Sequence, residues 1–299
     1  MFKRILTTAV LAFSLMGTGL ADQKTFPTPE EAVKAVVRAF DSDNEQQILA
    51  IFGPEARELL ETADQAESGI LRERIARASE KRSALQKEKN GTLTWVVGEE
   101  VWPFPVPLVH TKKGWKFDTE AGYDEVLRRR VGRNELAVIK LLRAMAEAQM
   151  QYASKDWDED GVFEFAQKLK CSPGKRDGLY WDAKEGEPSP MESFAETVKE
   201  YLQRKTHDRT WMGYRLKLLT AQGPAAPGGK FNYIINGNMI LGYAVLAYPV
   251  DYRKSGIMSF LLNHYGQIRQ ADLGPDTALL AEKMTVYNPG KDWVLVSKD

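Results

Sequence analysis

Along the second half of this chain the hydrophobic period changes once, and that change limits the folds open to it. From Asn134 to Lys155, in NELAVIKLLRAMAEAQMQYASK, apolar residues recur at three and four positions. Leu136, Ile139, Leu142, Met145, Gln149 and Tyr152 make the stripe, and Val138, Leu141 and Ala146 widen it, as in a helix laid on a core. Asn134 is placed to cap that helix. From Trp211 the period falls to two, through GYRLKLLTA, FNYII, MILGYAVLAYP, GIMSFLLN and QIRQADL, with turns at Asn236-Gly237 and Tyr265-Gly266. A meander of this kind needs a helix over one face, and the Asn134 run is the natural cover. A final helix is expected near Ala278 to Met284, and a last strand at Trp293 to Val296. The fold class expected is α+β.

Cys171 is the only cysteine, so no internal disulfide holds the chain and its core must do so. With 43% hydrophobic residues over 299 positions such a core is feasible, and the length points to two domains. Lys plus Arg and Asp plus Glu stand at 41 each. That balance carries no footprint of a nucleic acid or of an acidic membrane partner.

Met1 to Ala21 has the form of a secretory signal: Lys3 and Arg4, an apolar run from Ile5 to Met16, then the small residues Gly19 and Ala21 before Asp22. The apolar run is short for a bilayer core and no other segment approaches the length needed, so the expected mature chain is exported to the periplasm without a transmembrane segment.

The first half, 22–131, reads as helices followed by an antiparallel sheet. Thr28 or Pro29 starts a helix with Ala32, Val33, Val36, Val37 and Phe40 on one face; a second carries Ile48, Leu49, Ile51 and Phe52 and stops at Gly53-Pro54. Leu71 to Lys89 is densely charged with balanced signs and reads as an exposed helix with a solvated face. Strands follow in TLTWVVGEEVW, the proline-broken PFPVPLV and WKFDT. Trp102, Phe104, Pro103, Pro105 and Pro107 fit either an edge strand kept from pairing or a groove for an extended ligand. A helix from Tyr123 to Arg130 ends in RRR before Gly132, with Arg128 to Arg130 complementing its C-terminal dipole or holding an anion. Gly132 followed by a cap at Asn134 places the boundary with the second domain, 132–299.

One stretch has metal-ligand spacing. Asp156, Asp158 and Asp160 alternate, Gly161 follows, and Glu164 falls at the ninth position, as in the opening of a calcium loop. Position twelve is Gln167, whose neutral amide cannot supply the bidentate carboxylate of a standard EF-hand. The expected ligands of a single calcium ion are Asp156, Asp158, Asp160 and Glu164. Beyond this loop, Ser172 to Pro190 is rich in turn formers, and a helix is expected from Met191 to Arg204.

Catalytic patterns are absent from the sequence. His110, His207 and His264 are isolated, no G-x-S-x-G elbow occurs, and there is no paired cysteine or H-E-x-x-H spacing. In GPAAPGGK, Lys230 is followed by Phe231 in place of Ser or Thr, so this is a hairpin loop and not a phosphate loop.

Taken together, FPTPEEAVKA, VVGEEVWPFPVPLV, GWKFDTEAG, RRRVGRNELAVI, SPGKRDGLYW, EPSP, LTAQGPAAPGG and DLGPDT resemble the bacterial family catalogued as domain of unknown function 2950. That resemblance covers nearly the whole mature chain and implies export in Gram-negative bacteria, with no activity attached. The helices-then-sheet order of residues 26 to 122 is similar to the cystatin-type cone of the nuclear-transport-factor-like superfamily. The second half is similar to the globular part of type IV pilins and pseudopilins, although it has neither a prepilin cleavage site nor a long apolar helix leading into Asn134. Two functions are expected. The first is a non-catalytic interaction or envelope-assembly module with a periplasmic or envelope protein partner. The second is a small-ligand-binding protein or hydrolase that uses a cavity in the N-terminal domain.

Overall fold

The computed structural model describes residues 23–57, 65–157, 159–181, 187–194 and 210–297. The signal segment Met1 to Ala21, Asp158, His207 and most of the helix expected over Met191 to Arg204 lie outside the described residues. Glu192–Phe194 form a single 3-10 turn.

The first half begins with α1, Pro29–Asp41, capped by Thr28, whose side chain accepts from the Glu31 amide. α2 spans Glu45–Phe52 and ends at Gly53, whose φ of 87° is the positive value that favours glycine after a helix. α3, Gln65–Lys81, packs on α1. Five strands follow: β1 Ser83–Lys87, β2 Leu93–Val97, β3 Trp102–Pro103, β4 Leu108–Thr111 and β5 Gly114–Phe117. They form one antiparallel sheet in the order β1-β2-β4-β5, with β3 folded back on β2.

Two expectations change here. The charged helix stops at Lys81, and Ser83–Lys87 is a strand, because β1 completes the hydrogen bonds of β2 and the Ser83 hydroxyl accepts from the Trp95 indole, 2.9 Å. The strand expected over residues 92–102 is a tight hairpin. Gly98 and Val101 both have positive φ, so the chain reverses with Glu99 and Glu100 at the tip and Trp102 pairs with Val97. The core beneath is aromatic: Phe52 meets Phe117 at 4.9 Å and Trp95 meets Phe104 at 5.0 Å between ring centroids. Both separations suit offset or edge contacts.

α4 runs without interruption from Thr119 to Tyr152, capped by Asp118. The break expected at Gly132 is therefore not there, and RRR lies in mid-helix. A glycine in a helix interior costs only about 1 kcal/mol relative to alanine, and contacts on either side of it outweigh that. Asn134 is buried inside the helix, donating its amide to the Ser255 carbonyl at 2.9 Å. Glu135 accepts from the amides of Ile257 and Met258, both at 2.9 Å. The inward stripe is Val138, Leu141, Leu142, Met145, Ala148, Gln149 and Tyr152, while Leu136 is 70% exposed.

That half of α4 packs on the second sheet. Its strands are β6 Tyr214–Leu219, β11 Ala244–Pro249, β12 Met258–Asn263, β13 Ile268–Asp272 and β14 Val294–Leu295, in the order β14-β13-β12-β11-β6. Short ladders fill the connection between the first two: β7 Ala221–Gln222 with β8 Phe231–Asn232, and β9 Ile234–Ile235 with β10 Asn238–Met239 around the Asn236-Gly237 turn. β11 is buried at every position, so both its faces are covered, with α5, Thr277–Lys283, packed against it. The chain is thus α+β, with two buried apolar clusters, one from Phe26 to Phe117 and one from Val138 to Trp293. The single long helix reaches both. No helix among the described residues is long and apolar enough to cross a membrane.

Candidate functional site

The acidic loop is ordered by its own backbone. Asp156 accepts from the amides of Glu159 and Gly161, both at 2.8 Å, and Asp160 from the amide of Val162 at 2.8 Å. Glu164 turns toward β10 and accepts from the Met239 amide at 2.7 Å, while the second oxygen of Asp160 accepts from Asn238 at 2.6 Å. Asp158 lies outside the described residues. Among those described, no group of three or more metal-capable side chains converges anywhere. Backbone amides supply partial positive charge to Asp156, Asp160 and Glu164.

Among the described residues, Cys171, His264 and His110 each have a structural setting. Burial, with Asp177 adding to it, pushes the Cys171 thiol up to about 11, which leaves it protonated and unreactive at neutral pH. Burial also lowers the pKa of His264, whose ring lies tilted against Tyr265 at 4.1 Å between centroids. His110 lies tilted against Trp115 at 5.0 Å between centroids in the other half of the molecule. The GPAAPGG loop is closed from within, since the buried Gln222 donates to the carbonyls of Pro227 and Gly229.

What the fold does build is a cleft of about 940 Å³ over the first core, between α3, the β2–β3 hairpin and the first four turns of α4. Its volume lies at the upper end of the roughly 300–1,000 Å³ typical of small-molecule sites. The floor is apolar: Phe40, Ile48, Phe52, Val97, Phe104 and Val106. Leu71, Ile75 and Ala78 of α3 and Val126 of α4 continue it up the sides. α4 is held close by Gly122, where a Cβ would come within 2.8 Å of the Val106 Cα, and by the Thr119 hydroxyl, which donates to the Phe52 carbonyl.

The walls are basic. Arg72, Arg74, Arg77 and Lys81 project from α3, and Arg129, Arg130 and Arg133 from α4, against the two carboxylates Glu99 and Glu100 of the hairpin tip. Spacing produces this. Residues 126, 129, 130 and 133 fall on one helical face, as do 71, 74, 75 and 78. Arg129 is fixed most firmly. It stacks over Trp102 at 5.0 Å, donates to the Pro103 carbonyl at 2.6 Å and pairs with Glu125 at 2.5 Å. Hydrogen bonds from Arg128 first, and then from Arg129, hold Glu125 below its ordinary pKa, so it stays ionised. Arg72 pairs with Asp43 at 2.5 Å and Arg77 with Glu73.

Of the five residues whose spacing fits either an edge strand or a groove, Trp102, Phe104 and Pro105 line the cleft, Pro103 and Pro107 do not, and Trp102 and Pro103 also pair with β2. The α3 cations, expected on a solvated face, line the cleft, and Arg128 to Arg130, expected at a helix end with a dipole or an anion as partner, lie in mid-helix, with Arg129 and Arg130 on the cleft wall. The available signal was the apolar thread Leu71, Ile75 and Ala78 at helical spacing inside the charged run.

A family model described as protein of unknown function, DUF2950, matches residues 23–296. No curated protein and no solved structure matches the chain.

Proposed function

Because the chain belongs to the DUF2950 family of proteins of unknown function, its role has to come from its own geometry, and we propose that it is an exported, non-catalytic binding protein. It takes a small, largely apolar molecule into the cleft between α3, the β2–β3 hairpin and α4. The observation that carries this is the cleft itself: apolar floor, basic walls and a volume suited to one small ligand. Binding is favoured over hydrolysis because the lining contains no Ser, Cys or His, and its Thr119 hydroxyl is committed to Phe52. Export is supported by the signal pattern of Met1 to Ala21. Mass spectrometry of the protein recovered from the periplasm is expected to show Asp22 as its first residue; retention of Met1 to Ala21 would count against cleavage.

Occupancy of the cleft is tested with anilinonaphthalene sulfonate, whose fluorescence rises in apolar surroundings. The folded chain is expected to bind one equivalent. Val126→Trp, which places an indole in the cleft, is expected to abolish the signal while leaving the melting temperature within a few degrees. Equal binding by the variant would move the site elsewhere.

Docking of a periplasmic or envelope protein is a second reading, favoured by the sheet edge at β14. Val294 and Leu295 are 54% and 56% exposed there, and one edge of the strand is unpaired. Such an edge accepts a further strand.

A further inference from the structure

We infer that the ligand of the cleft is a long-chain aliphatic carboxylate of the fatty-acid type. This rests on the cleft being a binding site and adds the charge and shape of what enters it. The floor offers aromatic and branched aliphatic surface with no polar side chain beyond the committed Thr119, so the ligand's body must be hydrocarbon. Seven cationic side chains against two carboxylates line the walls, so its head must be negative.

The same walls already hold carboxylates. Asp43 sits on Arg72, Glu73 on Arg77 and Glu125 on Arg129, each within ion-pair distance. Arg74 and Lys81, one helical turn beyond Arg77 on either side, have no ion-pair or hydrogen-bond partner among the described residues. They are the groups for an incoming head, with the planar guanidinium matched to a carboxylate's two oxygens.

A single negative charge fits better than two. Of the acidic residues, only Glu99 and Glu100 at the hairpin tip line the cleft. Those two carboxylates oppose a phosphate dianion more than a carboxylate, and the N-terminus of α4 is not open to either, because Asp118 already caps it by accepting from Ala121.

The test is calorimetric titration of the exported chain with dodecanoate, 1-dodecanol and dodecyl phosphate, all below their aggregation concentrations. Dodecanoate is expected to bind about tenfold more tightly than dodecanol, the effect of one charge-assisted hydrogen bond. Each methylene removed should weaken it about fourfold. Raising the salt concentration should narrow the gap to dodecanol. The double variant Arg74→Gln, Lys81→Gln, both on the exposed side of α3, should lose the preference and keep its affinity for dodecanol. Dodecanol binding as tightly as dodecanoate, or dodecyl phosphate binding more tightly, overturns the carboxylate while leaving the cleft as a site. Binding of none of the three overturns the cleft reading as well.

Discussion

Gly132→Ala is expected to raise the stability of the protein by about 1 kcal/mol, and Gly132→Pro to lower it by roughly 3 kcal/mol or more. Both follow from α4 being one helix from Thr119 to Tyr152 with Gly132 in its interior. A Cβ built at Gly132 has nothing within 4 Å, so alanine adds no clash and removes the entropy that glycine loses on folding. Proline removes the amide that bonds to residue 128 and drives its ring into that turn. The damage extends past the helix. Arg129, Arg130 and Arg133 belong to the cleft wall, while Asn134 and Glu135 grip residues 255, 257 and 258 across the second sheet. A kink between these two sets cannot keep both in register. Urea unfolding of the three proteins decides it: a proline variant within about 0.5 kcal/mol of the parent, the range of neutral surface changes, would mean that the helix does break there.

Gln149→Leu is expected to cost about 2–6 kcal/mol. Gln149 is fully buried on α4 and makes a reciprocal pair with the backbone of Ala166, donating to its carbonyl at 2.9 Å and accepting from its amide at 2.8 Å. This is how the segment after the acidic loop is stitched to the helix, since Ala166 has no strand partner. Leucine has nearly the same volume, so the core loses little packing, but it leaves a buried donor and a buried acceptor without partners, each worth about 1–3 kcal/mol. Thermal and urea unfolding should agree on the loss. A change below about 0.5 kcal/mol would show that water reaches Ala166 and that the segment is loosely held.

Much of the second half was legible because its signals are local and repeated. Short strand-like runs at Tyr214–Leu219, Ala244–Pro249, Met258–Asn263 and Ile268–Asp272, separated by turn formers and with Asn-Gly at the hairpin, leave few foldings other than a meander. The inward face of α4 was legible for the same reason, except that Leu136 points out because Asn134 and Glu135 take the sheet contact instead. What sequence could not give were the features decided by tertiary partners. Ser83–Lys87 has the composition of its charged helix and becomes a strand only because β2 is beside it. Gly132 is punctuation in isolation and helical between two cores. The cleft's cations lie on two helices some fifty residues apart in sequence, and nothing local says that α3 and α4 face each other. The calcium spacing of Asp156, Asp160 and Glu164 likewise has a backbone use that spacing does not separate from an ionic one.

The ligand site proposed for this protein is the cleft over the first core. Hydrogen–deuterium exchange of the protein with and without anilinonaphthalene sulfonate reads the location directly. The expected result is slower exchange in residues 71–81, 97–106 and 119–133, with β11 and β12 unchanged. Protection confined to residues 210–297, or none anywhere at saturating probe, would contradict it.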